Sequence, residues 1–270
     1  MPILNKDMTL CISLAGRPSN LGTRFHNFLY EELGLNFIYK AFTTTDIEAA
    51  IAGVRGLGIR GCSVSMPFKE AVIPLVDAIE PSAAAIESVN TIVNDDGTLT
   101  ASNTDYEAVA ELLVEHAVDP ASSVLVRGSG GMAKAVVAAF RGAGFDDVTV
   151  LARNEQAGSA LADKYGYRFT ADDPAPGHAV IVNVTPLGMS GQDADALAFT
   201  PAHIAAARTV FDVVAFPAET PLIRAARDAG TPVITGADVI ALQAARQFAR
   251  YTGITPTRDQ VERASAFSRA

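Results

Sequence analysis

The chain has 270 residues, of which 49% are hydrophobic and 19% charged, and its net charge is −9. This length allows one large domain or two ordinary ones, and the apolar fraction excludes a disordered chain. The acidic balance argues against a nucleic-acid partner. No run approaches the roughly 18 apolar residues of a membrane span, and the first ten residues lack an apolar signal core. We therefore expect a cytoplasmic protein with no membrane partner.

The cysteine and histidine positions bear on redox compartment and metals. Cys11 and Cys62 both lie in apolar runs, which predicts two buried thiols in a reducing compartment. Neither has metal-ligand spacing to a neighbour, and the four histidines are scattered. We therefore expect no metal site.

Strands and helices alternate along the whole chain, which predicts parallel sheets covered by helices. Asp95-Asp96-Gly97 marks a hairpin between two of the strands. The polar loop 171–177 is interpreted as a surface connection. Strands are predicted over residues 9–15, 36–42, 59–66, 88–94, 99–102, 124–126, 147–152, 179–184, 209–214 and 232–234. Helices are predicted over residues 25–33, 46–57, 106–117, 132–140, 156–164, 220–229 and 239–251.

The most informative stretch is VLVRGSGGMAKA, residues 124–135. An apolar strand runs into Gly128, and a helix-forming segment follows, so the spacing to Ala133 is G-x-G-x-x-A. Gly128 permits a tight turn, Gly130 lets the backbone approach a pyrophosphate, and Ala133 lets helix pack on strand. The helix N-terminus offers free N–H groups to phosphates. Other α/β proteins have such turns without a nucleotide, so this spacing alone leaves both readings open.

The second strand of the motif, residues 147–152, lies about twenty residues downstream, as in a Rossmann unit. It ends at Arg153, where an acidic residue would bind the ribose hydroxyl of NAD. An arginine suits the 2′-phosphate of NADP. The alternative is a solvated arginine whose charge Glu155 partly offsets.

The Rossmann motif lies near the middle of the chain, and about 100 residues of strand and helix precede it. We therefore predict two α/β domains, with a boundary near residues 102–105 and a last helix that returns to the first domain. The first comprises residues 1–102, completed by 237–270. The Rossmann domain comprises residues 103–236.

Three polar clusters interrupt the apolar pattern. Ser65 to Lys69 follow a strand, Ser88 to Thr91 and Asn103 to Asp105 flank the hairpin, and Gln243 and Gln247 share one face of the predicted last helix. Ligands bind beyond the carboxyl ends of parallel strands, so Lys69 and Asp105 are candidates for a proton-transfer pair. The alternative places Lys69 over a loop and Asp105 as the N-cap of a helix. The residues alone slightly favour that structural alternative.

Taken together, these segments resemble the shikimate dehydrogenase family, and more closely its divergent shikimate dehydrogenase-like branch. The resemblance covers nearly the whole chain. The order and spacing of the matching segments favour catalytic roles for Lys69 and Asp105 over the structural roles described above. The matching segments are residues 66–69, 88–91, 103–105, 128–135, 183–189, the stretch FDVVAFPAETPLI, and 236–243.

The resemblance implies an NADP-dependent oxidoreductase acting on a hydroxylated cyclohexene carboxylate, within chorismate and aromatic amino acid biosynthesis. Lys69 would move the hydroxyl proton while hydride passes to or from the nicotinamide, and Asp105 would bind the same hydroxyl. The implied substrate-binding residues are Asn20, Thr23, Ser65, Asn90 and Gln243. The implied cofactor-binding residues are Gly128, Ser129, Gly130, Gly131, Met132, Arg153, Asn183, Thr185, Pro186, Met189, Val213 and Gly236.

The chain also departs from the family pattern. The paired serines that hold the substrate carboxylate are absent, and Asn20 and Gly22 stand in their places. Ser19, Thr23, Arg17 or Arg24 are the candidates to compensate, unless both arginines point to solvent. A Tyr near the substrate is replaced by Ala215, and the second basic residue of the cofactor loop is missing. NADP is therefore favoured, with NAD also possible.

The sequence leaves four functions to compare. The first is a shikimate dehydrogenase. The second is an enzyme for quinate or an amino-substituted shikimate. The third is an idle NADP-binding sensor, against which Lys69 and Asp105 argue. The fourth, a methylene-tetrahydrofolate dehydrogenase, is disfavoured by the segments around Asp105 and Gln243. The sequence leaves the chain as a monomer or a homodimer.

Overall fold

The computed structural model describes residues 4–270. Met1 to Ile3, the start of the segment expected to lack a signal core, lie outside the described residues. The chain divides into two compact units, Met1–Thr104 with Ala241–Ala270, and Asp105–Ile240. The division falls after Thr104 and Ile240, whereas the sequence placed it after Ser102 and Gly236. The ligand-binding roles given to the two domains stay predictions.

The first unit contains a sheet of six strands in the order β2-β1-β3-β5-β6-β4. The pairs β1–β2, β1–β3 and β4–β6 are parallel, while β3–β5 and β5–β6 are antiparallel. The strands are β1 Thr9–Ala15, β2 Phe37–Thr43, β3 Gly61–Val64, β4 Ala78–Ile79, β5 Thr91–Asp95 and β6 Thr98–Ser102.

The predicted hairpin is confirmed, and the sheet of this unit is mixed: β3–β5 and β5–β6 are antiparallel, while β1–β2, β1–β3 and β4–β6 have the predicted parallel arrangement. Asp96 and Gly97 connect β5 to β6, and both have positive φ, 50° and 92°. A two-residue turn of this kind joins neighbouring strands in opposite directions, so the hairpin itself makes the sheet mixed.

Helices lie on both faces of this sheet. Alternate residues of β1 point to opposite sides, so Cys11 and Ile12 belong to different apolar clusters. Both cysteines are fully buried free thiols, as predicted. The helices of the first unit are α1 Leu21–Glu32, α2 Ile47–Gly56, α3 Pro81–Ala84, α10 Arg258–Arg269 and most of α9 Gly236–Thr252; α4 Thr104–Glu115 begins at the last residue before the division and otherwise belongs to the second unit.

The sequence analysis missed helix α10, so the helix predicted to be the last one is α9. Apolar periodicity is weak in α10, where only Ala264 and Ser265 are buried. The signal that could have found it is a capping box, in which Thr257 and Gln260 bond reciprocally to each other's backbone N–H. The helix packs on α1, with Phe28 and Phe267 rings 5.2 Å apart.

The second unit contains a parallel sheet in the order β12-β11-β10-β7-β8-β9. The chain proceeds outward from β7 to β9 and then restarts at β10 on the other side of β7. The gap between β7 and β10 is therefore the topological switch point, where open α/β sheets bind ligands. The strands are β7 Val124–Arg127, β8 Val148–Leu151, β9 Arg168–Thr170, β10 Val180–Asn183, β11 Thr209–Asp212 and β12 Val233–Thr235; the helices are α5 Gly131–Gly142, α6 Glu155–Tyr165, α7 Pro201–Ala206 and α8 Pro221–Asp228.

Within residues 4–270, no helix combines the length and apolar character needed to cross a membrane. The same residues contain no group of three or more His, Cys, Asp and Glu side chains suited to a metal ion.

Candidate functional site

The turn between β7 and α5 has the geometry that the glycine spacing predicts. Gly128 has φ +123°, and a Cβ there would lie 2.9 Å from a methyl carbon of Val184. Only glycine fits this position without strain. A Cβ on Gly130 or Gly131 would meet no atom within 4 Å. The backbone at these two glycines therefore faces open space that a phosphate group can occupy.

The N-terminus of α5 leaves its first N–H groups available. Gly130 is the N-cap residue and has no side chain to accept from the first turn. Ala133 is fully buried, which lets the helix lie close to the sheet. A pyrophosphate placed here would accept from the free N–H groups and be favoured by the helix dipole.

A cleft of about 830 Å³ opens beside this turn at the carboxyl ends of β7, β8 and β10. Six of its lining residues were predicted to bind the cofactor: Gly128, Ser129, Gly130, Arg153, Thr185 and Pro186. Nine were not predicted: Arg127, Leu151, Ala152, Asn154, Ala171, Asp173, Val184, Leu187 and Asp193. The predicted residues Gly131, Met132, Asn183, Met189, Val213 and Gly236 are not among the lining residues.

The loop 171–177 is more than the surface connection that the sequence predicted. Ala171 and Asp173 line the cleft because they follow β9, whose end lies beside the end of β8. The sequence analysis missed β9, so it had no reason to place this loop at the ligand edge of the sheet.

Arg153 lies directly beyond the end of β8, at the position predicted to distinguish NADP from NAD. Its side chain is exposed and forms no ion pair within residues 4–270. Asn154, the next residue, caps α6 by accepting from Ala157 N–H at 3.0 Å. This cap orders the backbone next to Arg153. The Arg153 guanidinium is not used by the cap and is available to an anion.

Asn183 shapes the loop after β10 and is fully buried. Its Nδ2 donates to the Leu187 carbonyl (3.1 Å) and to Asp212 Oδ1 (3.0 Å). Its Oδ1 accepts from the Thr185 N–H (3.0 Å) and hydroxyl (2.6 Å). With both ends of the amide engaged, Asn183 positions the loop that carries Thr185 and Pro186 beside the cleft.

Asp212 is the buried anchor of this network, and the sequence analysis did not single it out. It accepts from Thr220 Oγ1 at 2.6 Å and from Val214 N–H at 3.1 Å. Burial raises the pKa of this carboxyl, while the bonds from Thr220, Val214 and Asn183 oppose that rise.

Gly236 lies at the start of α9, where a Cβ would collide with the carbonyl oxygens of Val213 and Val214. This glycine therefore allows α9 to begin directly against the end of β11. Met189 is 46% exposed on the loop after β10. Cofactor contacts of Met189, Val213 and Gly236 stay predictions.

In the first unit, two of the residues predicted to bind substrate, Asn90 and Gln243, are joined through Thr104. Asn90 Oδ1 accepts from the Thr104 N–H (2.8 Å) and from the hydroxyls of Thr104 (3.1 Å) and Thr91 (2.8 Å). Asn90 is 3% exposed. Because its oxygen is engaged, the Nδ2 group is the donor that Asn90 has to offer a ligand hydroxyl.

The two proton-transfer candidates flank this network along the chain. The Lys69 carbonyl accepts from Val89 N–H at 2.8 Å, next to Asn90. Asp105 follows Thr104, whose N–H is bonded to Asn90. The suggestion that Asp105 is an N-cap is wrong, because α4 begins one residue earlier and places Asp105 in its first turn.

Helix α9 contributes two glutamines to the same network. The Thr104 hydroxyl shares its one proton between Asn90 Oδ1 (3.1 Å) and Gln243 Oε1 (3.3 Å), and the Gln243 amide nitrogen is the donor that this residue has to offer a ligand. Gln247 is buried and donates to Thr91 Oγ1 (3.0 Å) and to the Asn90 carbonyl (3.3 Å). Gln247 therefore supports the network, and Gln243 lies at its edge.

A second cavity, of about 370 Å³, lies at the end of β3 and is lined by Gly16, Arg17, Ser65, Met66 and Pro67. The two loops are joined by Gly16 N–H, which donates to the Met66 carbonyl at 3.0 Å. The Arg17 side chain is exposed and forms no ion pair among the described residues. Of the predicted substrate-binding residues, only Ser65 lines this cavity.

None of the other candidates for binding the substrate carboxylate lines this cavity. The Arg24 guanidinium lies over the Phe267 ring of α10, 4.8 Å from its centroid. Thr23 lies within α1 and its hydroxyl is buried without a hydrogen-bond partner. Asn20 precedes α1 and does not cap it with its side chain. Substrate binding by Asn20 and Thr23 stays a prediction.

Known proteins resemble this chain along its whole length. A model of the shikimate dehydrogenase substrate binding domain matches residues 19–92. A shikimate dehydrogenase-like protein of Haemophilus influenzae is 55% identical over 269 residues, 99% of either chain. The chain belongs to the shikimate dehydrogenase family. Identity at this level places it in the shikimate dehydrogenase-like branch, so the predicted resemblance is confirmed.

More distant relatives carry the names of enzymes. A shikimate dehydrogenase (NADP(+)) of Chlorobaculum tepidum is 37% identical over 250 residues, 84% of either chain. The shikimate 5-dehydrogenase structure of Thermus thermophilus, in complex with NADP(H) and shikimate, is 30% identical. Its TM-score is 0.87, with 97% of this chain and all of that chain covered. The predicted pair of α/β domains, including a Rossmann-type domain, is confirmed by this likeness.

Proposed function

We propose that this protein is an NADP-dependent oxidoreductase that interconverts a shikimate-like ring carboxylate and its 3-dehydro form. The observation that carries the proposal is the Asn90 network. The Val89 N–H donates to the Lys69 carbonyl, and Asn90 Oδ1 accepts from the N–H of Thr104, the residue before Asp105. Two neighbouring residues, Val89 and Asn90, thus hold the backbone segments next to both proton-transfer candidates.

The residues of the second unit fit NADP. Gly128 and Gly130 provide the turn and the open approach for a pyrophosphate, and Arg153 provides an unpaired cation for the 2′-phosphate. When bound, the nicotinamide supplies or accepts the hydride of the reaction. NADP is also the cofactor named for the Thermus and Chlorobaculum relatives.

Lys69 and Asp105 are proposed to manage the proton of the reacting hydroxyl. A ring alcohol must lose this proton as its carbon becomes a carbonyl, and Lys69 would accept it and return it in the reverse direction. Asp105 would accept a hydrogen bond from the same hydroxyl and orient it. The free amide donors of Asn90 and Gln243 would bind neighbouring ring hydroxyls.

A second candidate substrate is a related polyol acid, such as quinate or an amino-substituted shikimate. Arg17 favours it, because an unpaired arginine lines the cavity beside Ser65 while the serine pair of the family is missing. A guanidinium binds a carboxylate in two parallel hydrogen bonds and so holds the acid differently from two hydroxyls.

The test is an assay of NADP⁺ reduction at 340 nm with shikimate, quinate and aminoshikimate, for the wild type and Lys69→Met. We expect turnover of at least one acid and a fall in kcat of about 10²–10⁴ in the variant, the usual contribution of a general base. NADP⁺ binding should be unchanged by the substitution. Tight cofactor binding without turnover of any of the three would instead support a sensor.

A further inference from the structure

A charged pair lies in the cleft of the second unit, in a position that the glycine motif does not indicate. Arg127 is the last residue of β7 and forms an ion pair with Asp173. Its guanidinium carbon lies over the Phe199 ring, 5.1 Å from the centroid. The Arg127 side chain is 19% exposed, and both charged residues line the cleft.

The register of the sheet defines where this guanidinium lies. Arg127 pairs with Leu151 of β8, and Leu151 pairs with Thr170 of β9. Asp173 follows β9, so the Arg127 side chain passes the carboxyl end of β8 to reach a residue two strands away, at about 4.8 Å per strand. That end of β8 carries Arg153. In a Rossmann unit the adenosine ribose binds beside this strand end, so the guanidinium lies under the adenosine half of a bound dinucleotide.

The pairing with Asp173 determines which part of the adenosine Arg127 can recognise. A phosphate that approached Arg127 would also meet the Asp173 carboxylate, whereas Arg153 is exposed and without an ion pair among the described residues. The phosphate is therefore better placed on Arg153. Phe199 is 1% exposed and covers one side of the Arg127 guanidinium. The guanidinium is planar, its charge is offset by Asp173, and Arg127 lines the cleft, so a guanidinium face turned to the cleft would suit a nucleobase.

We infer that Arg127 is the platform on which the adenine base of the cofactor stacks, with Asp173 as the positioning residue that holds it. This inference rests on the proposed function, because it needs a dinucleotide in the cleft. It separates two roles within the cleft. Arg127 sets the affinity for any adenine dinucleotide, and Arg153 distinguishes NADP from NAD.

The test measures dissociation constants of NADP⁺, NAD⁺ and nicotinamide mononucleotide by titration calorimetry. The variants are Arg127→Lys and Arg127→Leu, with Arg153→Leu as the matched control. Stacking of a base on a flat side chain contributes enough for about a tenfold loss of affinity. We expect Arg127→Lys and Arg127→Leu to weaken NADP⁺ and NAD⁺ by the same factor and to spare the mononucleotide. Arg153→Leu should weaken NADP⁺ alone.

The lysine variant separates stacking from charge, since it keeps the cation but has no flat guanidinium. Unchanged affinities in Arg127→Lys, or a loss confined to NADP⁺, would overturn the inference. Asp173→Asn, in an exposed loop, gives a second route if an Arg127 variant does not fold, which thermal melting reveals. It should weaken both dinucleotides because the guanidinium is released. A wild-type protein that binds neither dinucleotide would instead refute the proposed function.

Discussion

The two units present different kinds of atoms to a ligand. In the second unit the candidate phosphate site consists of backbone at Gly128, Gly130 and Gly131, which are neighbours in the sequence. In the first unit the candidate site consists of side chains held by other side chains, from residues as distant as Asn90 and Gln247. A ligand site formed by backbone atoms therefore depends on local steric rules, whereas a site formed by side chains depends on how the whole unit packs.

The largest expected effect lies in the side-chain network. Asn90→Ala removes the acceptor of three donors and leaves the buried Thr104 N–H unsatisfied, at a cost of about 3 kcal/mol in the free energy of unfolding. Turnover should also fall, because the Thr104 N–H beside Asp105 loses its acceptor and the amide proposed to bind the substrate is removed. Urea unfolding and steady-state kinetics measure the two effects.

Asn94→Ala is the matched control, since Asn94 is also a buried asparagine bonded to backbone, at Val54 and Gly97. It should lose stability to a similar extent and keep its activity at a temperature where both variants are folded. An equal loss of turnover in both would show that the Asn90 network is structural only.

The backbone site is tested by Gly130→Ser. Serine is a favoured N-cap and has open space at this position, so thermal stability should not fall. The new side chain would occupy the approach of the pyrophosphate and raise the dissociation constant of NADP⁺ by about 100-fold, or ~2.7 kcal/mol. Calorimetry measures the affinity.

Gly128→Ala provides the contrast, because φ is +123° there and the Cβ would lie 2.9 Å from Val184. This variant should lose stability as well as affinity. If Gly130→Ser bound NADP⁺ like the wild type, the backbone would not be what holds the pyrophosphate.

The burial of polar side chains in the first unit also predicts a pH dependence. His26 is fully buried and stacks on Tyr39, with the two ring centroids 4.4 Å apart. Burial lowers its pKa from 6.5 to about 3, with a smaller opposing effect of Gln247. The unfolded chain thus binds a proton below pH 6.5 that the folded chain does not. The free energy of unfolding should therefore decrease as the pH is lowered below 6.5, by ~1.4 kcal/mol per pH unit, until the pH reaches the folded-state pKa.

His26→Phe keeps an aromatic ring and removes the titration. Urea unfolding at pH 7 and pH 5 should show the variant retaining about 2 kcal/mol more of its pH 7 stability than the wild type. Identical pH profiles for the two proteins would mean that His26 is protonated in the folded state.

The smallest effect concerns the substrate carboxylate. Arg17→Gln should raise the KM for the preferred acid about tenfold, or ~1.4 kcal/mol, because Arg17 lines the cavity beside Ser65. Arg24→Gln is the control, since Arg24 lies over Phe267 and should affect stability only. A KM raised by the Arg24 substitution and not by Arg17→Gln would reverse the assignment.

Short-range features were predictable from the sequence wherever a few neighbouring residues determine the backbone. The Asp96-Gly97 turn and the Gly128 loop belong to this class, because positive φ and close approach demand glycine or a small polar residue at one position. Asp46 caps α2 by accepting from Ala49 N–H at 2.9 Å, a bond between residues three apart in the sequence.

Features that depend on distant residues were not predictable in this way. Nothing in the polar loop around Asp173 shows that it will meet Arg127, because β9 brings it to the cleft across an intervening strand. The bonds from Asn183 and Thr220 to Asp212 likewise join residues that only the folded sheet brings together.

The sequence by itself determined the alternation of strands and helices, the glycine cradle, and the candidate residues Lys69, Asn90 and Asp105. The folded structure was needed to show that Asn90 uses its oxygen internally, that Arg17 lines a cavity while Arg24 packs on Phe267, and that Arg127 lines the cleft of the second unit. The difference arises from the distance along the chain over which each interaction acts. Backbone sterics act between neighbours in the chain, whereas burial and hydrogen-bond pairing depend on which distant side chains the sheets bring together.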